Sequence, residues 1–259
     1  TRRGSIGREG LVTVEIGGGT SASSFVSSRT ERGGVSASLS FSDDYGWDFS
    51  GDGGERDGTK RTTFVLSGDY FVTEDLQLGF TLRRSDEDYE FDGTSGSATT
   101  PAGYVVDDPA QSAVTRDFTG ELFAELSSFE GRVMHRLSYA YTETEERFGG
   151  GAPTVTDNRE LAYRLSAALD GHTTANADHL LNLTVEREED SSSASPLSRR
   201  EALSYALEYR GTFDNGLSVQ AGIRHDDNDP FEDVTVWNVA SSYRFANGMR
   251  LHASAGTGS

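Results

Sequence analysis

The sequence of 259 residues contains no cysteine, so neither a disulfide framework nor a thiolate metal site can form. It also lacks an apolar run near the roughly 20 residues that a membrane-spanning helix needs, and its mean hydropathy is −0.53. Basic residues are scarce, since 23 Lys and Arg stand against 42 Asp and Glu and give a formal net charge of −19. This balance argues against a nucleic-acid partner, because phosphate contact requires a basic surface.

Instead of long apolar runs, the sequence has apolar and polar residues that alternate with a period of two. The segment Arg61–Arg84 shows it best: two alternating stretches flank the polar turn Thr73–Asp75. Similar stretches follow one another along the chain at intervals too short for helices, and they predict about 13 strands joined as antiparallel hairpins. The Asp214-Asn215-Gly216 turn and the Asn247-Gly248 turn are strong hairpin signals, because Asn-Gly readily takes positive φ values.

The connections between these strands are predicted to alternate in length. Short turns are expected at 33–34, 73–75, 130–131, 171–178, 214–216 and 247–248. Longer loops are expected at 43–60, 85–113, 147–158, 188–199 and 225–233. Short turns at one end and long loops at the other are typical of outer-membrane β-barrels. No helix pattern is available to cover the apolar face, which therefore points outward into lipid.

Charged side chains occupy the face opposite the apolar one, and they predict a wide aqueous or plugged lumen. The predicted lumen-facing charged residues are Asp69, Arg83, Glu121, Glu125, Arg136, Arg164, Glu208, Arg210, Arg224 and Arg244. Aromatic residues near strand ends predict girdles at the membrane interfaces: Tyr70, Phe129, Tyr141, Tyr209, Phe213, Trp237 and Phe245. The fold class is therefore an all-β, antiparallel transmembrane β-barrel. A passive porin-like channel and a soluble all-β binding protein are the alternatives.

Residues 217–259 resemble the middle of the barrel in TonB-dependent outer-membrane receptors of the cobalamin-receptor type. The resemblance rests on segments 221–224, 242–245 and 253–257, on the acidic loop around Phe231 and on the strand that holds Trp237. Residues 1–4 likewise look like the exit from a plug domain. The resemblance implies that the chain, 1–259, is part of a larger barrel domain of about 22 strands, with the plug and the C-terminal strands outside it.

The same resemblance implies a location in the bacterial outer membrane and active uptake of a bulky, scarce ligand such as cobalamin or an iron-siderophore. Its expected partners are outer-membrane lipid, a plug domain, a TonB-type energy transducer and that ligand. No catalytic residue is expected, because no G-x-S-x-G or H-E-x-x-H sequence occurs. His135 and His252 also lack an acid at orienting spacing.

Acidic residues in the two long loops 43–60 and 85–113 are candidate calcium ligands, because Ca²⁺ takes six to eight oxygen ligands. The resemblance implies calcium in these loops, and no other cofactor is expected. Solvation of an outer surface by acidic loops is the simpler alternative. The candidates are Asp48, Asp52 and Asp57 in the first loop and Asp92, Asp107 and Asp108 in the second.

Overall fold

The computed structural model describes residues 6–51, 53–100, 103–108, 110–195 and 198–258. Its strands are β1 (Gly7–Ile16), β2 (Gly19–Thr30), β3 (Gly33–Trp47), β4 (Asp57–Phe71), β5 (Leu76–Glu90), β6 (Gly93–Thr94), β7 (Val105–Val106), β8 (Ser112–Ser128), β9 (Val133–Phe148), β10 (Thr154–Ala168), β11 (His179–Ser192), β12 (Arg200–Thr212), β13 (Leu217–Asp229), β14 (Val234–Arg244) and β15 (Arg250–Gly256). None of the described residues belongs to a helix long and apolar enough to cross a bilayer.

Thirteen of these strands form one sheet in which each long strand lies beside the next one along the chain. All the pairings in this sheet are antiparallel, and β6 pairs with β7 in a separate small hairpin. The all-β, antiparallel prediction is therefore confirmed. Within the described residues β1 and β15 each pair on one side only, so they are the two edges of the sheet.

The tight turns follow the local chemistry of the sequence. Gly216 and Gly248 both have a φ of +86°, which confirms the two Asn-Gly turns. The turn expected at Gly33-Gly34 is wrong: Thr30 pairs with Gly33, so the chain reverses at Glu31 and Arg32. Gly34 instead lies in β3 at a position where an added Cβ would come within 2.9 Å of Cβ of Arg29. The nearest atom to that added Cβ would be the backbone oxygen of Ser28, at 2.8 Å, so this glycine permits the close approach of β2 rather than a turn.

The long loops are shorter than predicted because the strands extend further toward that end. The region expected as a loop at 85–113 still pairs through Glu90 on β5 and Ser112 on β8, and the loop itself covers 91–111. The loop expected at 43–60 likewise covers only 48–56. Past the apolar part of a strand both faces are polar, so alternation disappears from the sequence while the backbone ladder continues.

The sheet has one apolar face and one polar face, as the alternation predicts. Register pairs such as Leu66 with Leu82 lie on the apolar face, and Ser67 pairs with Thr81 on the polar face. The apolar side chains are uncovered: Leu122 is 60% exposed and Ile223 is 51% exposed. Among the described residues the only buried hydrophobic residues are alanines, Ala113, Ala162 and Ala202. This sheet has no core of large side chains, unlike a soluble β-sandwich.

The apolar face forms a band, here called the apolar band, that begins at the short turns and stops before the long loops. On β9 it runs from Val133 to Tyr141, which matches the roughly 9–11 residues of a tilted membrane strand. The edge of the band does not follow the register. Arg187, just past the band on β11, pairs with Leu161, which is inside the band on β10. The strands are therefore tilted with respect to the band.

Candidate functional site

Two long loops meet beyond the apolar band and bring acidic side chains together. The backbone N–H of Glu55 in loop 48–56 donates a hydrogen bond to Oδ2 of Asp107 in loop 91–111, with an N–O distance of 3.3 Å. Carboxylate oxygens of Glu55, Asp57 and Asp92 lie within 4.8 Å of one another. We call Glu55, Asp57, Glu90, Asp92 and Asp107 the acidic loop cluster. Such a set of oxygen atoms could hold a hard cation.

The electrostatics of the acidic loop cluster are unfavourable without a cation. Burial raises the pKa of the Asp57 carboxyl above its usual 3.8, and the nearby charges of Asp92 and Asp107 raise it further. Burial and then the charge of Asp107 raise the pKa of Glu55 in the same way. Oδ1 of Asp57 and Oδ1 of Asp107 are both buried without a hydrogen-bond partner. A divalent cation would neutralise the like charges and supply the missing partner to both oxygens.

The predicted calcium ligands divide into two groups in the structure. Asp57, Asp92 and Asp107 come together in the acidic loop cluster. Asp48 holds its own loop: its carboxylate accepts hydrogen bonds from the N–H groups of residues 51 and 53, at 2.6 and 2.9 Å, and the bond from residue 51 is the main reason that its pKa is lowered. Asp108 similarly accepts from the N–H of residue 110. Asp52 lies outside the described residues.

Glu55 is a member of the acidic loop cluster that sequence analysis missed. It precedes Asp57 by two residues, and in an extended segment residues i and i+2 point to the same side. That spacing, Glu55-x-Asp57, was the available signal. Glu90 closes the other side of the cluster, where its carboxylate accepts a hydrogen bond from the N–H of Gly58 at 3.4 Å.

The predicted lumen-facing charges all lie on the polar face, and most are paired with a neighbour. Arg29 forms an ion pair with Asp69, which also accepts a hydrogen bond from Gln77 at 3.1 Å. Arg136 bridges Glu121 at 2.8 Å and Glu125 at 3.5 Å. These pairs hold the wall of the sheet together across four strands.

A second paired group lies on the polar face of β11 to β13. Glu208 contacts Arg210 at 3.2 Å, and Arg224 contacts Asp226 at 2.7 Å and Glu186 at 3.4 Å. Three predicted residues differ from these: in the part of the chain that the structure describes, no acid forms an ion pair with Arg83, Arg164 or Arg244. The polar face therefore carries guanidinium groups with and without an ion pair.

A groove of about 220 Å³ lies on the polar face between the Arg29–Asp69 pair and the Arg136–Glu121 pair. Hydroxyl groups form its floor, including those of Ser36 and Ser67, whose oxygens are 2.9 Å apart. Phe123 closes one side of the groove, where its ring lies over Gly79 and under the Arg136 guanidinium, 4.1 Å from the ring centroid. The groove suits a polar group rather than an apolar one.

The predicted girdle residues fall at the two ends of the apolar band. Tyr141 and Trp237 lie near its edge toward the long loops, and the remaining five lie near the short turns: Tyr70, Phe129, Tyr209, Phe213 and Phe245. Two histidines that are not among the predicted girdle residues join the turn-side group. Nδ1 of His179 lies 2.7 Å from the Tyr209 hydroxyl, and His135 makes the same contact with Tyr163 at 2.8 Å.

Comparison with known proteins identifies the fold. No family model matches the chain, and no curated protein matches it either. Among solved structures, the siderophore receptor PirA from Pseudomonas aeruginosa matches with a TM-score of 0.70 at 16% identity, over 98% of this chain and 43% of that one. The ferripyoverdine receptor of the outer membrane of Pseudomonas aeruginosa matches with a TM-score of 0.71 at 12% identity, over 98% and 42%.

A peptide transporter, RagAB, matches with a TM-score of 0.67 at 13% identity, over 92% of this chain and 36% of that one. The chain therefore spans less than half the length of the structures that it matches. At these identities the likeness establishes the fold alone: the sheet is folded like part of the outer-membrane receptors that it matches.

Proposed function

We propose that this chain forms part of the barrel wall of a TonB-dependent outer-membrane receptor that takes up a bulky, scarce ligand. The apolar band then contacts lipid, and the polar face lines the lumen. The observation that carries the proposal is the exposed apolar face, whose large side chains have no core to pack against. The length of the apolar band along β9 agrees with the strand length that a membrane requires, and this agreement supports the same conclusion.

The ligand class follows from the neighbours and from the polar face. The receptors reported above are named for siderophores, and the transporter for peptides. Cobalamin has no support among them, so we propose an iron-siderophore or a peptide. The guanidinium group of Arg83, which forms no ion pair with a described residue, would attract an anionic ligand, and the hydroxyl floor of the groove would accept its polar groups. Transport rather than catalysis is the activity that these neighbours support.

Spin labels test the orientation of the sheet on which this function depends. Labels at Leu66, Leu137 and Leu207, on the apolar face, are expected to contact acyl chains. Labels at Ser67, Ser138 and Glu208, on the polar face, are expected to report water. Collision rates with oxygen and with a water-soluble relaxation agent distinguish the two surroundings. Equal accessibility for the two sets of labels would overturn the proposal.

Energy dependence separates active uptake from a passive pore. A passive pore passes solutes whether or not the inner membrane is energised, whereas a TonB-dependent receptor requires the energised transducer. Collapse of the proton gradient is therefore expected to abolish uptake of an iron-siderophore by cells that produce the protein in its full-length form. Uptake that continued at the same rate would favour the passive pore.

We also propose that the acidic loop cluster binds Ca²⁺ and that the ion joins loops 48–56 and 91–111. The buried, unpartnered oxygens of Asp57 and Asp107 support this proposal beyond the mere presence of acids. The resting cluster is strained by like charges, so binding of the cation gains the relief of that repulsion as well as new ligand bonds.

Limited proteolysis of the two loops with and without Ca²⁺ tests the calcium proposal. Ca²⁺ is expected to slow cleavage of both loops in the wild-type protein and to have no effect on the double variant Asp57→Asn, Asp92→Asn. Asp108→Asn is the matched control, because Asp108 bonds within its own loop. Slowing of equal size in the double variant would show that the ion binds elsewhere and would overturn this site.

A further inference from the structure

Arginines mark the edge of the apolar band on the side of the long loops. On each of four strands, the first apolar-face residue past the band is an arginine: Arg84 follows Leu82 on β5, Arg116 precedes Phe118 on β8, Arg159 precedes Leu161 on β10 and Arg187 follows Val185 on β11. We call Arg84, Arg116, Arg159 and Arg187 the arginine collar. Because the edge of the band crosses the register, these residues share a level relative to the band and not a register row.

The collar side chains are accessible from outside the sheet. Their exposed fractions are 41% for Arg84, 42% for Arg116, 52% for Arg159 and 56% for Arg187. An arginine stem can lie along the band while its guanidinium stays at the polar boundary. The collar therefore presents cationic groups at the depth where lipid headgroups begin.

Acidic residues contact the arginine collar on its side away from the apolar band. Asp86 contacts Arg84 at 2.7 Å, Asp157 contacts Arg159 at 3.3 Å and Glu189 contacts Arg187 at 2.6 Å. Each of these acids is two residues further from the apolar band than its arginine, so it lies on the same face but deeper in water. On β5, β10 and β11 the arginine beside the band is thus followed outward by an acid, whereas on β9 and β12 the position beside the band is itself acidic, Glu143 and Glu201.

The acids leave part of each guanidinium free. The contacts of Arg84 use Nε and Nη2, and those of Arg187 use Nη2. No described residue accepts a hydrogen bond from Nη1 of either side chain. A guanidinium offers five N–H donors in a planar fork whose geometry matches a phosphate. The free donors and the fixed orientation together favour a phosphate ligand.

The opposite edge of the apolar band is built from different side chains. On β9 to β12 it carries the pairs His135–Tyr163 and His179–Tyr209, which are aromatic contacts typical of an interface. On the side of the short turns the exposed arginines Arg32 and Arg132 lie in the turns themselves rather than in the strands, so the two edges of the band would present different groups to lipid headgroups.

We propose that the arginine collar binds the phosphate groups of lipid headgroups in the leaflet on the side of the long loops. This inference rests on the membrane location given under the proposed function. In a bilayer the phosphates lie directly above the acyl chains, which is the layer that the collar occupies. The acids of the next layer lie beyond the phosphates and orient the guanidinium groups. The receptor would therefore select phosphorylated lipids around part of its wall.

Lipid retention in native mass spectrometry tests the collar. The full-length protein is reconstituted into vesicles of phosphatidylglycerol and digalactosyldiacylglycerol, a bilayer-forming lipid without phosphate, then released in mild detergent, and the ratio of the two retained lipids is measured. Wild type is expected to retain phosphatidylglycerol preferentially. The variants Arg159→Gln and Arg187→Gln are expected to lower this preference by about fivefold each, the effect of one basic residue at an anionic membrane surface.

Arg210→Gln is the matched control, because Arg210 is 56% exposed and paired with an acid two residues away, but lies on the polar face. An unchanged preference in Arg210→Gln supports the collar, and an equal loss there would overturn it. Inorganic phosphate, added as a second arm, is expected to leave the lipid bound. Displacement of the lipid by inorganic phosphate would show that the arginines bind free phosphate, which would also overturn the proposal.

A spin label at Leu137 in the same vesicles separates failure of the collar from failure of the proposed function. Lipid contact at Leu137 together with no preference for phosphatidylglycerol would refute the collar alone. Loss of lipid contact at Leu137 would refute the membrane location, and the collar with it. Lipid contact together with the preference supports both.

Discussion

A partly enclosed carboxylate has opposite surroundings at the two ends of the sheet. Asp170, in the turn between β10 and β11, is saturated with hydrogen bonds from its own turn. Asp57, at the start of β4 beside the long loops, has a buried oxygen without a partner and is crowded by other acids. The turn end is therefore complete by itself, whereas the loop end keeps a buried carboxylate oxygen without a partner.

Asp170 shows how a turn of ten residues is stabilised without a core. Its Oδ2 accepts hydrogen bonds from the N–H of Asp178 at 2.6 Å and of His179 at 3.0 Å, and its Oδ1 accepts from the N–H of His172 at 3.1 Å. Burial alone would raise the pKa of Asp170, but these three donors outweigh it and hold the pKa at about 2. Asp170, His172 and Asp178 could geometrically hold a metal ion, yet the Asp170 oxygens are already occupied.

Asp57 differs because no backbone N–H reaches its buried oxygen. Its neighbours are acids instead, and the result is a pKa displaced upward where that of Asp170 is displaced downward. Such repulsion lowers stability, and a bound cation would relieve it. The sign of the pKa shift thus separates a carboxylate that holds a turn from one that is available to a ligand.

Removal of the Asp170 carboxylate should have the largest effect, on the turn between β10 and β11. In Asp170→Ala, three N–H groups of the turn lose their acceptor. Hydrogen exchange at the amides of His172, Asp178 and His179 is expected to accelerate roughly tenfold, the order for a lost charge-assisted bond. Because the pKa of Asp170 is lowered in the folded protein, its contribution to stability is complete above pH 3.8 and is lost as the pH falls through about 2.

The control for that change is Asp214→Ala in the short turn after β12. No hydrogen bond to a described residue is made by the Asp214 side chain, so exchange in its turn should change little. Equal acceleration in the two variants would mean that the Asp170 carboxylate has no special role, and the contrast between the two ends of the sheet would be lost.

Neutralisation of Asp57 should have a smaller effect of the opposite sign. The pKa of Asp57 is raised in the folded protein, so its charge lowers stability most at neutral pH. This loss of stability shrinks as the pH falls through the raised pKa and is absent below pH 3.8. Without Ca²⁺, Asp57→Asn is therefore expected to slow proteolysis of loops 48–56 and 91–111 roughly two- to fivefold at pH 7, a modest gain because the group is partly exposed. The wild-type protein should approach the rate of the variant as the pH falls.

Faster or unchanged cleavage of Asp57→Asn at pH 7 would contradict the argument from repulsion. Glu74→Gln is a suitable control, because Glu74 lies in the turn between β4 and β5, at the opposite end of the sheet from both loops. It should leave their cleavage unchanged at every pH.

The sequence predicted the faces of the strands well, because a period of two leaves no choice of side once a strand is recognised. Leu66, Leu82, Ser67 and Thr81 lie as the alternation requires. It predicted strand ends poorly toward the loops. Beyond Leu82 the sequence becomes polar on both faces, and a ladder of backbone hydrogen bonds leaves no mark in such a pattern.

The candidate site was predicted in part for a related physical reason. Sequence analysis could place acids in two loops, but contact between the loops depends on how they fold back over the strand ends. Glu55 was missed because it lies in a loop of glycines and its two-residue spacing from Asp57 was not used. Asp48 was included because nothing in the sequence shows that its carboxylate would close its own turn.

Loss of the His172 side chain should have the smallest effect. Nδ1 of His172 lies 3.6 Å from Oδ2 of Asp170, and its side chain is 60% exposed, so solvent screens this contact. In His172→Gln the backbone N–H of residue 172 remains, and the pKa of Asp170, followed by NMR titration, should rise only slightly from about 2. A return of that pKa to 3.8 would mean that a charge pair, not the backbone, holds the turn. The turn end would then depend on side-chain charges as the loop end does, and the lowered pKa of Asp170 would no longer indicate a self-sufficient structure.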